Sequence, residues 1–248
     1  MSDKYEIDSH KLSFHPQRVA QWQVAKDDLE KLKKIYPIYL EISPVGACNH
    51  RCTFCAVDYI GYQNVRWETD ILKTRLSEMA EKGVKSVMFA GEGEPLLHKK
   101  LDDIIQHCAN IGIDSSIATN LVFLNVKNAD KIVKNTSWIK VSINAGTRDT
   151  YSQIHTTKKE DFDIVLQNMK LAVKTKKQNN YKCTLGAQML LLPENKHEAL
   201  TLAKLVKEIG FDYLVIKPYS QHLFSETKIY KDIDYKPMLE LDKELNKL

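Results

Sequence analysis

Three times along the chain a helical stretch stops at a glycine and a β-rich run begins within a few positions. The copies are EKGVKSVMFAG (81–91), NIGIDSSIATN (110–120) and EIGFDYLVIKP (208–218). Gly83, Gly112 and Gly210 stand where a helix commonly ends in a left-handed residue, a conformation glycine adopts without a Cβ clash. Between these stops the helix signal is an apolar stripe: Leu101, Ile104, Ile105, Cys108 and Ile111 recur at helical spacing. Asn195 with Glu198 predicts a capping-box start for a helix over 196–209. Strands are predicted at IYPIYLEIS (35–43), SVMFAG (86–91), DSSIATN (114–120), WIKVSIN (138–144), CTLGAQMLLL (183–192) and YLVIKPYS (213–220). Several are short and apolar without strict alternation, as parallel strands buried on both faces tend to be.

Strands alternating with helices imply right-handed βαβ units, and so an α/β fold that is either a doubly wound sheet or a barrel. In both, function gathers at the C-terminal ends of the strands. The polar and unusual segments all follow strand ends: SPVGACNH, GEGEP, TN, NAGTRD, LPEN and KPYSQH, in strand order. Residues 1–34 read as a polar lead-in with a short helix within HPQRVAQWQVAKDDLEKL, residues 35–220 as the core domain, and residues 221–248 as a polar connection and a Lys- and Glu-rich helical tail. That tail reaches LDKELNKL without a glycine or proline stop, so an extension beyond it is one expectation.

Composition narrows the picture only modestly. A chain of 248 residues that is 43% hydrophobic and 27% charged suits one soluble domain. Lys plus Arg number 36 against 32 Asp plus Glu, which gives no argument for nucleic acid as a partner. The lysines at 170, 174, 176, 177 and 182 are expected to coat a solvated helix end. The start, MSDKYEIDSHKLSFHPQR, has no apolar segment of the signal-peptide kind, and no apolar run approaches the roughly 20 residues of a membrane span. The expected compartment is the cytoplasm, where thiols stay reduced and clustered cysteines point to metal or catalysis before disulfides.

Three of the five cysteines fall in ACNHRCTFC (47–55), at Cys48, Cys52 and Cys55. A structural zinc site would need a fourth ligand, and His50 reaches one only through a sharp fold of the loop. Cys108 and Cys183 read as core residues, because free cysteine behaves as a small hydrophobe. A four-iron cluster takes four ligands, so three thiolates would leave one iron open. Zinc binding without catalysis, or a simple iron–sulfur carrier, stays an alternative at this point.

The spacing C-x3-C-x2-C after the first strand, with Phe54 before its last cysteine, resembles the signature of the radical SAM superfamily, and GEGEPLLH (91–98) with SINAGT (142–147) looks most like the branch that includes SPASM- and twitch-type enzymes. The resemblance, over roughly 36–220, implies a partial (β/α)6 barrel, with Cys48, Cys52 and Cys55 on a [4Fe–4S] cluster and S-adenosylmethionine on the open iron. It further implies reductive cleavage of that cofactor to a 5′-deoxyadenosyl radical that takes a hydrogen atom from substrate. An external electron donor such as flavodoxin or ferredoxin is implied as well. By position, Phe54, Gly93, Glu94, Pro95, Thr119, Asn120, Ser142, Asn144, Gln188 and Lys217 are the cofactor-contact candidates. Glu92, Leu121 and Asn144 stand where the family's usual residues are Gly, Gly and Asp. Met189 and Tyr219 could pack around adenosine or substrate. A small-molecule substrate, a sugar or nucleotide-linked sugar, is the first expectation, with a peptide substrate as the alternative. No residue is assigned a catalytic role, and a membrane or nucleic-acid partner is not expected.

Overall fold

The computed structural model describes residues 10–236, 241–245 and 247. The polar opening residues, and the parts of the tail at 237–240, 246 and 248, lie outside the described residues. All six predicted strands form: β1 Tyr39–Ile42, β2 Ser86–Phe89, β3 Asp114–Thr119, β4 Thr136–Ser142, β5 Thr184–Leu191 and β6 Tyr213–Pro218. They pair in parallel and in chain order, leaving β1 and β6 as the two edges of one six-stranded sheet. With helices carrying the chain between strands, this is an α/β fold, a partial barrel open between its first and last strands.

Helices α1 Pro16–Ala25 and α2 Leu29–Leu32 lie in the lead-in, and α3 Thr69–Glu81, α4 Leu101–Asn110, α5 Ala129–Asn135, α6 Arg148–His155, α7 Glu160–Asn179 and α8 Ala199–Ile209 follow the strands. A short α9, Leu241–Leu245, falls in the tail. In α4 the stripe is fully spent on packing: Leu101, Ile104, Ile105 and Cys108 are at most 1% exposed. Each large apolar side chain so buried contributes about 1.5–3 kcal/mol. Gly83, Gly112 and Gly210 take φ of +93°, +75° and +90°, the left-handed stops expected from sequence. Among the described residues no helix is long and apolar enough to cross a membrane.

Strand boundaries shift for local reasons. β1 starts at Tyr39 rather than residue 35, since Pro37 has no N–H for a ladder. There the ladder begins with the Ile38 carbonyl, which accepts from Lys85 and Ser86 N–H. β4 starts two residues earlier than expected, straight from the end of α5 at Asn135. The capping box at Asn195 and Glu198 does not form. A 3-10 turn spans Lys196–Glu198, and α8 begins at Ala199 without a side-chain cap. Both side chains have stronger employment elsewhere. Asn195 donates to the Asn144 and Leu190 carbonyls, at 2.7 and 2.8 Å. Glu198 accepts from Gly146 N–H at 2.7 Å and from the Thr147 and Thr150 hydroxyls at 2.7 and 2.6 Å. The lysine coat holds at 170, 174, 177 and 182, but Lys176 pairs with Asp212 at 2.6 Å and ties α7 to the approach to β6.

Parallel partners share a face of the sheet. Val87, Phe89, Ile117, Ile139, Val141, Leu185, Ala187 and Met189 form the helix-covered face and are at most 1% exposed. The alternate row, which includes Glu41, Met88, Ala118, Lys140, Ser142, Gln188 and Lys217, faces the barrel interior and stays partly or fully accessible.

Candidate functional site

The three clustered cysteines sit in the loop leaving β1, at the C-terminal rim. All are half-buried and none is in a disulfide. Their loop docks on the end of α6: Arg51 and Thr53 N–H donate to the His155 and Ile154 carbonyls at 3.1 and 2.8 Å. Within it, Cys55 N–H donates to the Cys52 carbonyl at 3.1 Å, and His50 N–H points at Cys48 Sγ from 3.5 Å. The Arg51 guanidinium donates to the Cys48 and His50 carbonyls and lies 4.2 Å from the centre of the Tyr62 ring. Burial pushes the Cys48 thiol up to about 11, and burial with the neighbouring Cys48 and Cys55 raises Cys52 well above the ordinary thiol value. Cys48 and Cys52 therefore hold protons that a metal must displace, as metal binding to thiols always requires.

A block of rings backs the loop. His155 is 1% exposed, with Nδ1 3.1 Å from Cys52 Sγ and Nε2 3.1 Å from the Ile143 carbonyl. Burial first, then the adjacent His50, lowers it to about 3, so the imidazole is neutral. Nε2–H then donates to the Ile143 carbonyl, and bare Nδ1 accepts from the Cys52 thiol. Phe54 meets His155 edge-on, ring centres 5.4 Å apart, so its side chain shores up the cysteine loop. His50 folds inward, 1% exposed, with Nε2 3.3 Å from Asp161 on α7. His50, Cys52 and His155 present ligand atoms within 4.8 Å of one another, a grouping the sequence spacing does not reveal.

The turn after β2 is locked to this loop. A Cβ on Gly93 would lie 2.2 Å from the Ala47 carbonyl oxygen and 2.3 Å from that of Val45, so only glycine lets the two backbones approach. Glu94 N–H donates to the Ala47 carbonyl at 2.9 Å. The Glu94 carboxylate is 3% exposed and accepts from Leu96 N–H at 2.9 Å, Asn120 N–H at 2.8 Å and the Thr119 hydroxyl. Burial raises its pKa, and these three donors oppose the rise. Pro95 opens a 3-10 turn over Pro95–Leu97 and is buried. Asn120 extends the chain of contacts, its Nδ2 donating to Asn49 of the cysteine loop at 2.8 Å. Glu92 is exposed and lines a cleft of about 700 Å³ with Gln63, Arg66 and Trp67.

At the remaining strand ends the candidates divide. Ser142 and Gln188 are register partners on the inner face and half-accessible, and Lys217 is inward and exposed. Asn144 is wholly buried at φ +56°, its Oδ1 accepting from Leu190 N–H at 2.7 Å, so its side chain joins β4 to β5 and does not enter the interior. Met189 is 0% exposed on the helix-covered face, so it cannot pack around a ligand in the interior. Tyr219 is 9% exposed, its ring against Tyr230 with centres 5.5 Å apart. Cys108 and Cys183 are buried core thiols, as expected.

A segment beyond β6 straps the cysteine loop from outside. Ser225 Oγ donates to the Cys55 carbonyl at 3.1 Å and Thr227 Oγ1 to the Thr53 carbonyl at 3.0 Å. The Asp58 carboxylate accepts from Glu226 and Thr227 N–H, both at 2.8 Å, and the Tyr230 hydroxyl lies 2.8 Å from Thr53 Oγ1. Neither the strap nor Lys140 emerges from motif reading. Lys140 was nevertheless visible as a charge alternating with Ile139 and Val141 inside an apolar strand.

The donor set fits an iron–sulfur cluster: three soft sulfur ligands on one loop, no disulfide among them, and a glycine cradle pressing the next loop against them. The chain matches the family model of the Radical SAM superfamily over residues 42–206. It is 25% identical over 190 residues to a GTP 3′,8-cyclase of Chlorobaculum tepidum, covering 74% of this chain and 55% of that protein. A GTP 3′,8-cyclase of Clostridium perfringens is 27% identical over 216 residues, or 85% and 63% of the two lengths. The chain thus spans between half and two thirds of the length of these curated relatives. In fold it is similar to Streptococcus suis SuiB bound to the precursor peptide SuiA, with a TM-score of 0.71 at 20% identity, covering 99% of this chain and 53% of that one.

Proposed function

The chain belongs to the radical SAM superfamily, enzymes whose cofactors are a [4Fe–4S] cluster and S-adenosylmethionine, and from that premise we propose that Cys48, Cys52 and Cys55 hold the cluster. When bound, this pair supplies a 5′-deoxyadenosyl radical able to take a hydrogen atom from an unactivated carbon. The protein's part is to hold and shield. The loop between β1 and α3 presents the thiolates, and the Gly93–Glu94 turn offers backbone and carboxylate acceptors to the cofactor's ammonium. A carboxylate has about four lone-pair sites. Glu94 uses three of them on its own scaffold, and the one left can face the cofactor. Ser142 and Gln188 line the interior beside it, with Pro95, Thr119, Asn120 and Asn144 shaping the rim and Phe54 bracing the loop. Residues 35–220 make the core domain, and an external flavodoxin or ferredoxin delivers the electron.

The substrate we propose is a small molecule with a sugar or nucleotide-linked sugar, which the accessible, polar barrel interior and the likeness to GTP 3′,8-cyclases both favour. A peptide substrate is the second reading, on the likeness to SuiB. The observation that carries the assignment is the half-buried, disulfide-free cysteine triplet locked to Gly93. Anaerobic reconstitution should give about four iron and four sulfide per chain. Dithionite and S-adenosylmethionine should then release 5′-deoxyadenosine, and Cys52→Ala should abolish it. Retained cleavage in that variant sinks the assignment.

A further inference from the structure

Below the rim the barrel interior sets two lysines against one nearby negative charge, the Glu41 carboxylate, which among the described residues forms an ion pair with neither. Pairing sets Lys140 of β4 between Ala118 and Gly186, and Lys217 of β6 beside Leu190, all on the inward row. The Lys140 ammonium lies 5.5 Å from the centre of the Trp138 ring. The Tyr213 ring crosses Gly186 on its other side, so closely that a Cβ there would sit 2.2 Å from it. Among the described residues neither lysine has a carboxylate within ion-pairing distance, although other lysines of the chain do. Glu41 of β1, whose field reaches Lys140, is engaged by the Tyr39 hydroxyl at 2.9 Å. Burial, and then repulsion from Lys217, lower the Lys140 pKa, with Glu41 opposing them. Two cations sharing a half-enclosed space over aromatic walls form a standing electrostatic cost, which an anion relieves.

We propose that Lys140 and Lys217 form the receptor for an anionic group of the substrate, a phosphate or a carboxylate, held inside the barrel beneath the cofactor. The inference rests on the proposed radical SAM reading, because it places the cofactor at the rim beside Ser142 and Gln188. Lys140 stands two residues below Ser142 on the same strand, a step of about 7 Å away from the cysteine loop. That depth favours a second ligand over the carboxylate of S-adenosylmethionine as the partner of Lys140. The nearby Trp138 and Tyr213 rings give flat apolar walls to the body of such a molecule.

The test is calorimetric titration of the reconstituted full chain, saturated with S-adenosylmethionine, with pyrophosphate, inorganic phosphate and acetate in separate runs. Binding of at least one of these anions, weakened by added salt, is expected. Tighter pyrophosphate binding assigns a phosphorylated substrate, and tighter acetate binding a carboxylated one. Lys140→Met and Lys217→Met should each weaken the preferred anion about tenfold. Lys140→Arg should restore most of that loss, and the surface control Lys182→Met should leave anion affinity unchanged. Anion affinity equal in wild type and both methionine variants overturns the proposal. So does a parallel loss of S-adenosylmethionine binding, which would assign the lysines to the cofactor. Repeating the titrations on cluster-free protein separates the two readings, since failure to assemble a cluster leaves the lysine-dependent anion signal measurable. Lys217 is exposed, so its variant keeps the test open if Lys140→Met fails to fold.

Discussion

A single carboxylate, Glu94, does in this rim what a whole turn does elsewhere: it collects donors from its own loop and from the end of β3. Its identity was legible in GEGEP, but its partners Thr119 and Asn120 were not, because they lie about 25 residues away in sequence and only parallel pairing brings them in. Leu121 teaches the same lesson. It keeps φ +64° where the family pattern has glycine, and its side chain is 1% exposed, so packing compensates for strain at a position where motif reading saw only a missing glycine. Cys108 offers a residue-level test of burial. Its folded thiol is pushed up to about 12 by burial against an ordinary 9.0, so the native state keeps its proton longer than the unfolded chain does. The stability this contributes is intact below about pH 9 and is lost as pH rises toward 12, with a slope near 1.4 kcal/mol per unit. Urea midpoints at pH 8 and pH 10 should show this alkaline loss in wild type, and Cys108→Val should make it shallower, the buried Cys48, Cys52 and Cys183 thiols supplying the remainder. An unchanged slope in the variant would place the alkaline sensitivity elsewhere.

At the scale of elements, hydrophobic period and glycine stops located the six strands and the helices after them, because each pattern is local. The failures were contests between local and tertiary partners. Asn195 and Glu198 have the spacing of a capping box, yet the strand-end amides and hydroxyls around Asn144 and Thr147 outbid the backbone of α8. Glu41 of β1 and Lys140 of β4 went unread for the opposite reason: alternation marks them, but nothing local says the space they face is enclosed. The contact between the β1 and β2 loops is the most sensitive junction. Gly93→Ala should force those backbones apart, because its Cβ would meet two carbonyl oxygens at 2.2 and 2.3 Å. We expect a stability loss of about 1–3 kcal/mol by urea unfolding and a lower iron content after reconstitution. A variant with wild-type iron and midpoint would mean the loops tolerate separation.

Across the whole molecule, the site is a joint product of both ends of the core. The inner wall of the cysteine loop comes from α6, its neighbour from β2, and its outer restraint from residues 225–230. Asp58→Ala should release the strap, since it removes the acceptor of two 2.8 Å backbone hydrogen bonds. Limited proteolysis should then cut within 222–230 faster than in wild type, and reconstituted iron should leach sooner under a chelator. Equal cleavage rates would assign the restraint to the Ser225, Thr227 and Tyr230 side chains.

The strap also sets a timetable. Cys55 and Ser225 are 170 residues apart in the chain, so on a ribosome the thiols emerge long before their outer restraint exists. At typical synthesis speeds that interval is about 10–30 s. During it the triplet is an open chelator facing whatever metals and oxidants the surroundings hold. The loop with its outer restraint in place therefore exists only once the chain has emerged through residue 230.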